Sequence, residues 1–290
     1  MTTGTGYLGA SASAIQHHYD AGNEFYRLWL DPSMTYSCAL WEEPGDTLER
    51  AQQRKHDYLA AAAGAAGAAR VLDVGFGWGA MVRRLLGTHG VEHVTGLTLS
   101  AAQLATTGAW SDDRCDLRLE NWNEHRPDRP YDAVVSIGAM EHFANLGMSR
   151  EHKIEAYRQF FTRCRSWLVD DGRLGLQTIV RGHNTNADWS IQREMIRVNR
   201  WIFPESEVPW LAEVFAASEG LLDVVSVRND AAHYARTCGV WLDQLRAHRT
   251  EAVDLVGAEM VERYERYLDV SVQVFRHRHA GLARIIFQRC

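Results

Sequence analysis

The sequence predicts an α/β fold in which a parallel sheet is covered by helices on both faces. Three observations predict it. From residue 70 onward, short apolar runs of strand length alternate with segments at helical spacing. The run Tyr131–Ile137 is continuous and rich in β-branched residues, as strands buried on both faces are. The first run, Arg70–Val74, ends in a glycine-rich turn that opens a helix.

In chain order, residues 13–30 read as helical and end at Asp31-Pro32, and residues 46–68 form an alanine-rich helix flanked by glycine. Arg70–Val74 is the first strand, and a helix carrying Met81, Leu85 and Leu86 follows it. His93–Leu97, Asp116–Leu119 and Tyr131–Ile137 are the next three strands. Ile154, Tyr157, Phe161, Cys164 and Leu168 share one helical face, with Asp170-Asp171-Gly172 expected as the C-terminal cap. Arg173–Val180 is the fifth strand. Residues 181–220 break the alternation and read as an inserted helical lid bearing Trp189, Trp201, Phe203 and Trp210. Leu222–Val227, a helical pair and Leu282–Gln288 complete the chain. The expected organisation is a helical cap over 1–65, a cofactor-binding α/β core over 66–180, the lid over 181–220 and the rest of the sheet over 221–290.

Composition narrows the class. The 290 residues carry a net charge of −6 with acids and bases interleaved, so no basic stripe exists for nucleic acid. No polybasic cluster favours an anionic membrane either. Residues 1–20 hold no signal-like apolar run, and no stretch reaches the ~18 apolar residues of a membrane span. The five cysteines are scattered without a Cys-x-x-Cys pair, which argues against a disulfide framework or zinc site and for a reducing cytoplasm. The pairs His17/His18 and His277/His279 lack further ligand spacing, so no metal is expected. Ten tryptophans suit a cavity for an apolar or cationic guest.

The sharpest motif is Val71-Leu72-Asp73-Val74-Gly75-Phe76-Gly77-Trp78-Gly79. Its glycines let the backbone approach a ligand, and the helix start offers unpaired N–H groups. The third glycine comes one residue earlier than a dinucleotide fingerprint requires. With Asp73 ahead of the glycines, the pattern fits an S-adenosylmethionine (SAM) site better than an NAD site.

Further motifs accompany it. They are His18-Tyr19-Asp20, the stretch from Asp31 to Ala39, Gly96-Leu97-Thr98-Leu99-Ser100, the stretch from Ser136 to Phe143, and His233-Tyr234. In this order and over nearly the whole chain, they resemble the cyclopropane fatty acid and mycolic acid cyclopropane synthases, a family of SAM methyltransferases. The resemblance implies a seven-stranded methyltransferase sheet and the cofactor SAM, with S-adenosylhomocysteine as product. It implies that Tyr36, Ser37, Gly75, Gly77, Thr98, Gln103, Trp122 and Ile137 surround the cofactor. Asp73 and Trp78 in the glycine motif, and Asn121 beside Trp122, complete the expected set. Thr98 and Gln103 would hold ribose hydroxyls by neutral hydrogen bonds, where an acid is usual.

The same resemblance implies methyl transfer to an alkene through a carbocation, with a bicarbonate base caged by Cys38, Glu141, Tyr234 and a fifth-strand histidine. Here Gln177 stands at the histidine's place, and glutamine cannot become cationic to hold an anion. Glu141 is then the expected proton acceptor. His142 is expected to be a structural or positioning group, Tyr234 to orient Glu141 or face the cation, and Cys38 to line the site as an unactivated thiol. Gln177 and the aromatic lid point to a hydrophobic small-molecule substrate, specifically the prenyl chain of a terpenoid or indole alkaloid. Three alternatives stay open: a cyclopropane synthase on acyl chains, a small-molecule N-methyltransferase and a non-catalytic SAM-binding protein. The N-terminal segment, apolar at Ile15, Tyr19, Phe25, Tyr26 and Trp29, is expected to pack on its own site or on that of a second copy.

Overall fold

Seven strands form one sheet in the computed structural model: β1 (Arg70–Val74), β2 (His93–Thr98), β3 (Cys115–Leu119), β4 (Tyr131–Ile137), β5 (Leu168–Arg181), β6 (Leu222–Asn229) and β7 (Ala280–Arg289). The structure describes residues 22–107, 112–184 and 205–290, together with residues 9, 11, 186, 191, 193, 194, 197 and 202. The order across the sheet is β3-β2-β1-β4-β5-β7-β6. β1 to β5 pair in parallel, whereas β7 runs antiparallel to both β5 and β6. The strands of the alternating βα region are thus parallel, as the sequence predicts, and β7 adds the antiparallel pairings. The reason is the short turn before β7. The helix Ala258–Arg276 ends above the carboxyl edge of the sheet, and β7 enters there, with Ala280 paired to Arg181 at the end of β5.

The helices among the described residues are α1 (Asn23–Arg27), α2 (Leu48–Ala62), α3 (Ala80–Gly87), α4 (Ala101–Thr107), α5 (Arg150–Trp167), α6 (Leu211–Ser218), α7 (Ala231–Ala247), α8 (Arg249–Val256) and α9 (Ala258–Arg276). Alternation along each strand sends residues to two cores. Val71, Ala133, Val135 and Ile286 pack with α2 and α3 on one face. Leu72, Val134, Leu174, Ile285 and Phe287 pack with α5 and α6 on the other. Thr47 caps α2 by accepting from the Arg50 N–H, and Ser149 does the same for α5 from His152.

A third core lies over the carboxyl edge. Phe25, Tyr26 and Trp29 pack with the 34–41 loop, α7 and α9. Tyr26 and Tyr264 share a hydroxyl hydrogen bond of 2.8 Å. The described part of the N-terminal segment therefore packs on its own chain; Ile15, Tyr19 and the 18–20 motif lie outside the described residues.

Three boundaries differ from expectation. α5 stops at Trp167, ahead of the expected Asp170-Asp171-Gly172 cap, because Leu168 already pairs with Tyr131, and Asp171 takes a left-handed conformation (φ 61°) within β5. The alanine-rich helix ends at Ala62, ahead of Gly64 and Gly67, both at φ 71°. The region between β6 and β7 holds α7, α8 and α9 rather than a pair.

Candidate active site

Two cavities meet at the carboxyl edge by the ends of β1 and β4, where the strand order reverses and ligands bind in such sheets. The first is walled by Tyr36, Ser37, Asp73, Gly75, Gly77, Trp78, Thr98, Gln103, Trp122 and Ile137. Asn121 is not in this wall. Its Oδ1 accepts from the Asn123 N–H at 3.0 Å and closes a local turn.

Several details fit a cationic, ribose-bearing cofactor. Asp73 is buried at the end of β1, and its Oδ2 has no hydrogen-bond partner among the described residues. Burial raises its pKa to about 7, against the pull of Lys55. A carboxylate oxygen left without a partner in a cavity wall suits a ligand's positive charge. Gly75 sits at φ +85°, and a Cβ there would stand 2.9 Å from the Ala139 Cβ. Gly75→Ala forces this turn or Ala139 to shift and strains the left-handed backbone. It is expected to weaken SAM binding roughly tenfold, from about 1–2 kcal/mol of left-handed strain, as read by isothermal titration calorimetry. Unchanged affinity would remove this loop from cofactor binding.

Thr98 donates to Gln103 Oε1 at 2.9 Å and accepts from the Ser100 N–H at 3.1 Å. The pair expected at the ribose is thus bonded internally, with the Gln103 amide N–H groups left for a ligand. Sequence reading missed Glu120, an acid in the same wall just past β3. It pairs with His125 Nδ1 at 3.1 Å. Its signal was positional: β3 lies beside β2, so its end adjoins Thr98.

The 31–39 loop closes the first cavity. α2 turns Gln52, Lys55, His56 and Leu59 inward at helical spacing. Gln52 Nε2 donates to the Thr35 and Ser37 carbonyls, at 3.2 and 2.8 Å. Lys55 Nζ donates to Ser37 Oγ at 2.7 Å, and burial brings the Lys55 pKa down to about 7.

The second cavity holds Glu141, Gln177 and Tyr234, with Ile179, Tyr267, Val274 and Phe275 among its apolar walls. It shares Tyr36, Ser37, Gly138 and His142 with the first. The two cavities therefore adjoin along these four residues.

Glu141 lies in the single turn Met140–His142 after β4. Its Oε1 accepts from the Ile179 N–H at 2.6 Å, and its Oε2 has no partner among the described residues. Burial raises its pKa to about 7. His142 Nδ1 bonds Ser206 Oγ at 2.7 Å, and burial lowers its pKa to about 4, so the ring is neutral. Tyr234 stacks on Phe275 with ring centroids 4.4 Å apart. Its hydroxyl stays protonated, because burial raises its pKa well above the ordinary value.

Cys38 is not in the cavity wall. It is buried behind, its thiol donates to the Ala39 carbonyl at 3.2 Å, and burial pushes its pKa to about 11. The thiol that does line the cavity is Cys238. Gln177 lines it too, held by Arg284, a fully buried side chain the sequence reading missed. With glutamine for histidine and the Cys38 thiol outside the wall, the residues do not reproduce the bicarbonate cage that the resemblance implies. Trp210 also differs from expectation. It sits at the start of α6 beside Arg181 and His183, away from both cavities. Trp189, Trp201 and Phe203 lie outside the described residues.

Among the described residues no group of three metal-ligating side chains occurs, and no helix is long and apolar enough to cross a membrane. His17 and His18 lie outside them. His279 Nδ1 bonds the Asn184 carbonyl at 2.7 Å.

Comparison with known proteins agrees with this geometry. Residues 8–285 match the family described as mycolic acid cyclopropane synthetase. Cyclopropane mycolic acid synthase 2 of Mycobacterium leprae is 35% identical over 288 residues, covering 93% of this chain and 92% of that protein. The structure of the cyclopropane synthase MmaA2 from Mycobacterium tuberculosis superposes with a TM-score of 0.89 at 31% identity, covering 98% of this chain and 100% of that one. The mycolic acid cyclopropane synthase CmaA1, solved with SAH and CTAB, gives 0.87 at 32% identity, with 97% and 99% covered. The chain belongs to the mycolic acid cyclopropane synthetase family of SAM-dependent methyltransferases, enzymes that transfer a one-carbon unit.

Proposed function

We propose that this enzyme transfers the methyl group of SAM to a carbon–carbon double bond in an unsaturated acyl chain. The observation that carries the reading is the shared wall of Tyr36, Ser37, Gly138 and His142 between a cofactor cavity and an apolar cavity whose acid is Glu141. No Lys or Arg stands among the described residues lining that second cavity, which suits an uncharged chain. The 35% identical relative is named a cyclopropane mycolic acid synthase, and CmaA1 was solved with the lipid-like CTAB. These relatives favour an acyl chain over the prenyl chain that the sequence suggested.

When bound, SAM supplies an electrophilic methyl on a sulfonium. The chain's own residues do the rest. Asp73 and the Gly75–Gly77 turn orient the cofactor, while Gln52 and Lys55 hold the 31–39 loop over it. The apolar walls exclude water, which would quench a cation. Transfer of that methyl to the double bond, with S-adenosylhomocysteine as the leaving group, would leave positive charge on the chain. The faces of Tyr36, Tyr234 and Tyr267 suit that charge. Glu141 Oε2 then takes the proton that the cationic product must lose. His142, already neutral, adds no competing positive charge.

A second reading keeps the same chemistry on a prenyl chain. Gln177 favours it, since it stands where acyl-modifying relatives are expected to carry histidine. Competition between the two classes separates the readings. Incubation with methyl-labelled SAM and equal amounts of unsaturated phospholipid and prenylated small molecules is expected to label the acyl fraction. Label confined to the prenylated fraction would overturn the acyl reading.

A further inference from the structure

Arg284 has no exposed surface, although it lies in an otherwise apolar run from Leu282 to Phe287. Its partners explain how a guanidinium is kept there. Nη1 pairs with Asp230, next to the start of α7, which Arg228 Nε also contacts at 2.7 Å. Nη2 donates to the Ala39 carbonyl at 3.1 Å and the Cys38 carbonyl at 3.3 Å. Nε donates to Gln177 Oε1 at 2.8 Å. One side chain thus ties β7, the 31–39 loop, α7 and β5 together behind the substrate cavity.

The bond to Gln177 has a directional consequence. A guanidinium only donates, so the Gln177 atom facing it must be the amide oxygen. The NH2 group is therefore turned away from Arg284. One of its hydrogens reaches the Cys38 carbonyl at 3.4 Å. The other is left for the cavity that Gln177 lines. Glu141 reaches the same strand two residues on, through the Ile179 N–H.

We propose that Arg284 is a positioning residue, which locks the Gln177 amide so that the cavity corner beside Glu141 donates a hydrogen bond and cannot accept one. A positive charge on the substrate is not held at that corner. The cation is left to Glu141 and the tyrosine faces, so the proton leaves toward one acceptor. Without Arg284 the amide can turn over and place its carbonyl oxygen in the cavity. It would then offer the cation a second, unproductive resting place. The effect on product partition rests on the alkene reading above, whereas the effect on rate does not.

The test compares Arg284→Gln, Arg284→Lys and Gln177→Glu with the wild type, on whichever acceptor the wild type methylates. The readouts are kcat, KM for SAM, product ratio and melting temperature. Gln177→Glu keeps an oxygen for Arg284 but removes the N–H donor, so it decides the matter even where the Arg284 variants fold poorly. Gln177→Glu is expected to lower kcat about tenfold, because the carboxylate offers the developing positive charge the unproductive resting place that the amide N–H denies it, with KM for SAM within about twofold. Arg284→Gln should do the same and broaden the product mixture, and Arg284→Lys should recover part of the rate. Wild-type kcat and product ratio in Gln177→Glu, or an Arg284→Gln change confined to melting temperature, would overturn the proposal. The position of the methyl label tests the alkene reading separately. Label on a heteroatom ends that reading and leaves the comparison of rates standing.

Discussion

Glu141→Gln is expected to lower turnover by roughly 10²–10⁴-fold while SAM affinity stays within about twofold, because it removes a proton acceptor and leaves the cofactor cavity intact. Glu141 lines the second cavity and not the first. The amide keeps an oxygen for the Ile179 N–H, so the local fold should persist. The wild-type rate should climb with pH through about 7, where the buried carboxyl ionises, and the variant should lose this step. Stability should move the opposite way. The folded-state pKa is raised to about 7 from 4.5, so the folded protein holds the proton that the unfolded chain releases first. Stability is therefore lost as pH rises from the ordinary glutamate range through about 7. Near pH 8 the variant should be more stable than the wild type, by something of order 1–3 kcal/mol. Paired denaturation curves at pH 5 and pH 8 check the sign. A variant that is active, or less stable at pH 8, would contradict the role given to this side chain.

Trp29→Ala should produce the largest stability loss, about 3–5 kcal/mol, as for other deleted core aromatics. Trp29 is fully buried between α1 and the α7–α9 layer. Its ring lies 5.9 Å from Trp241, 5.4 Å from Tyr36 and 5.3 Å from Tyr26. Emptying that space also releases Tyr36, a residue common to both cavities. SAM affinity should therefore fall together with the urea midpoint. Trp29→Phe refills most of the volume and should cost less than half as much. A loss below about 1 kcal/mol would mean that this cap does not unfold cooperatively with the sheet.

What the sequence made legible follows from physical range. Strands β1, β2, β4 and β5 showed as apolar runs because both their faces are buried. The Gly75 turn showed because its backbone conformation demands glycine. Glu141 and Ile137 were legible through a motif contiguous with β4. The direction of β7 was not, because periodicity reports which faces are buried and says nothing of the strand's neighbours. The Arg284–Gln177 bond was hidden by its 107-residue separation. The contribution of α9 to the substrate cavity was accessible in principle. Tyr264, Tyr267, Leu268 and Phe275 fall on one helical face, but that spacing reads equally as ordinary core. Cys38 misled for a related reason: a motif position specifies the backbone, and the thiol turned out to point into the Ala39 carbonyl.

The most direct test of the whole account is where the methyl carbon ends up. Wild-type enzyme, [¹³C-methyl]SAM and an unsaturated phospholipid should give a product whose label is bonded to a former alkene carbon of the acyl chain, visible by carbon NMR after lipid hydrolysis. Label on nitrogen or oxygen, or an unlabelled acyl chain beside a labelled prenyl group, would contradict it.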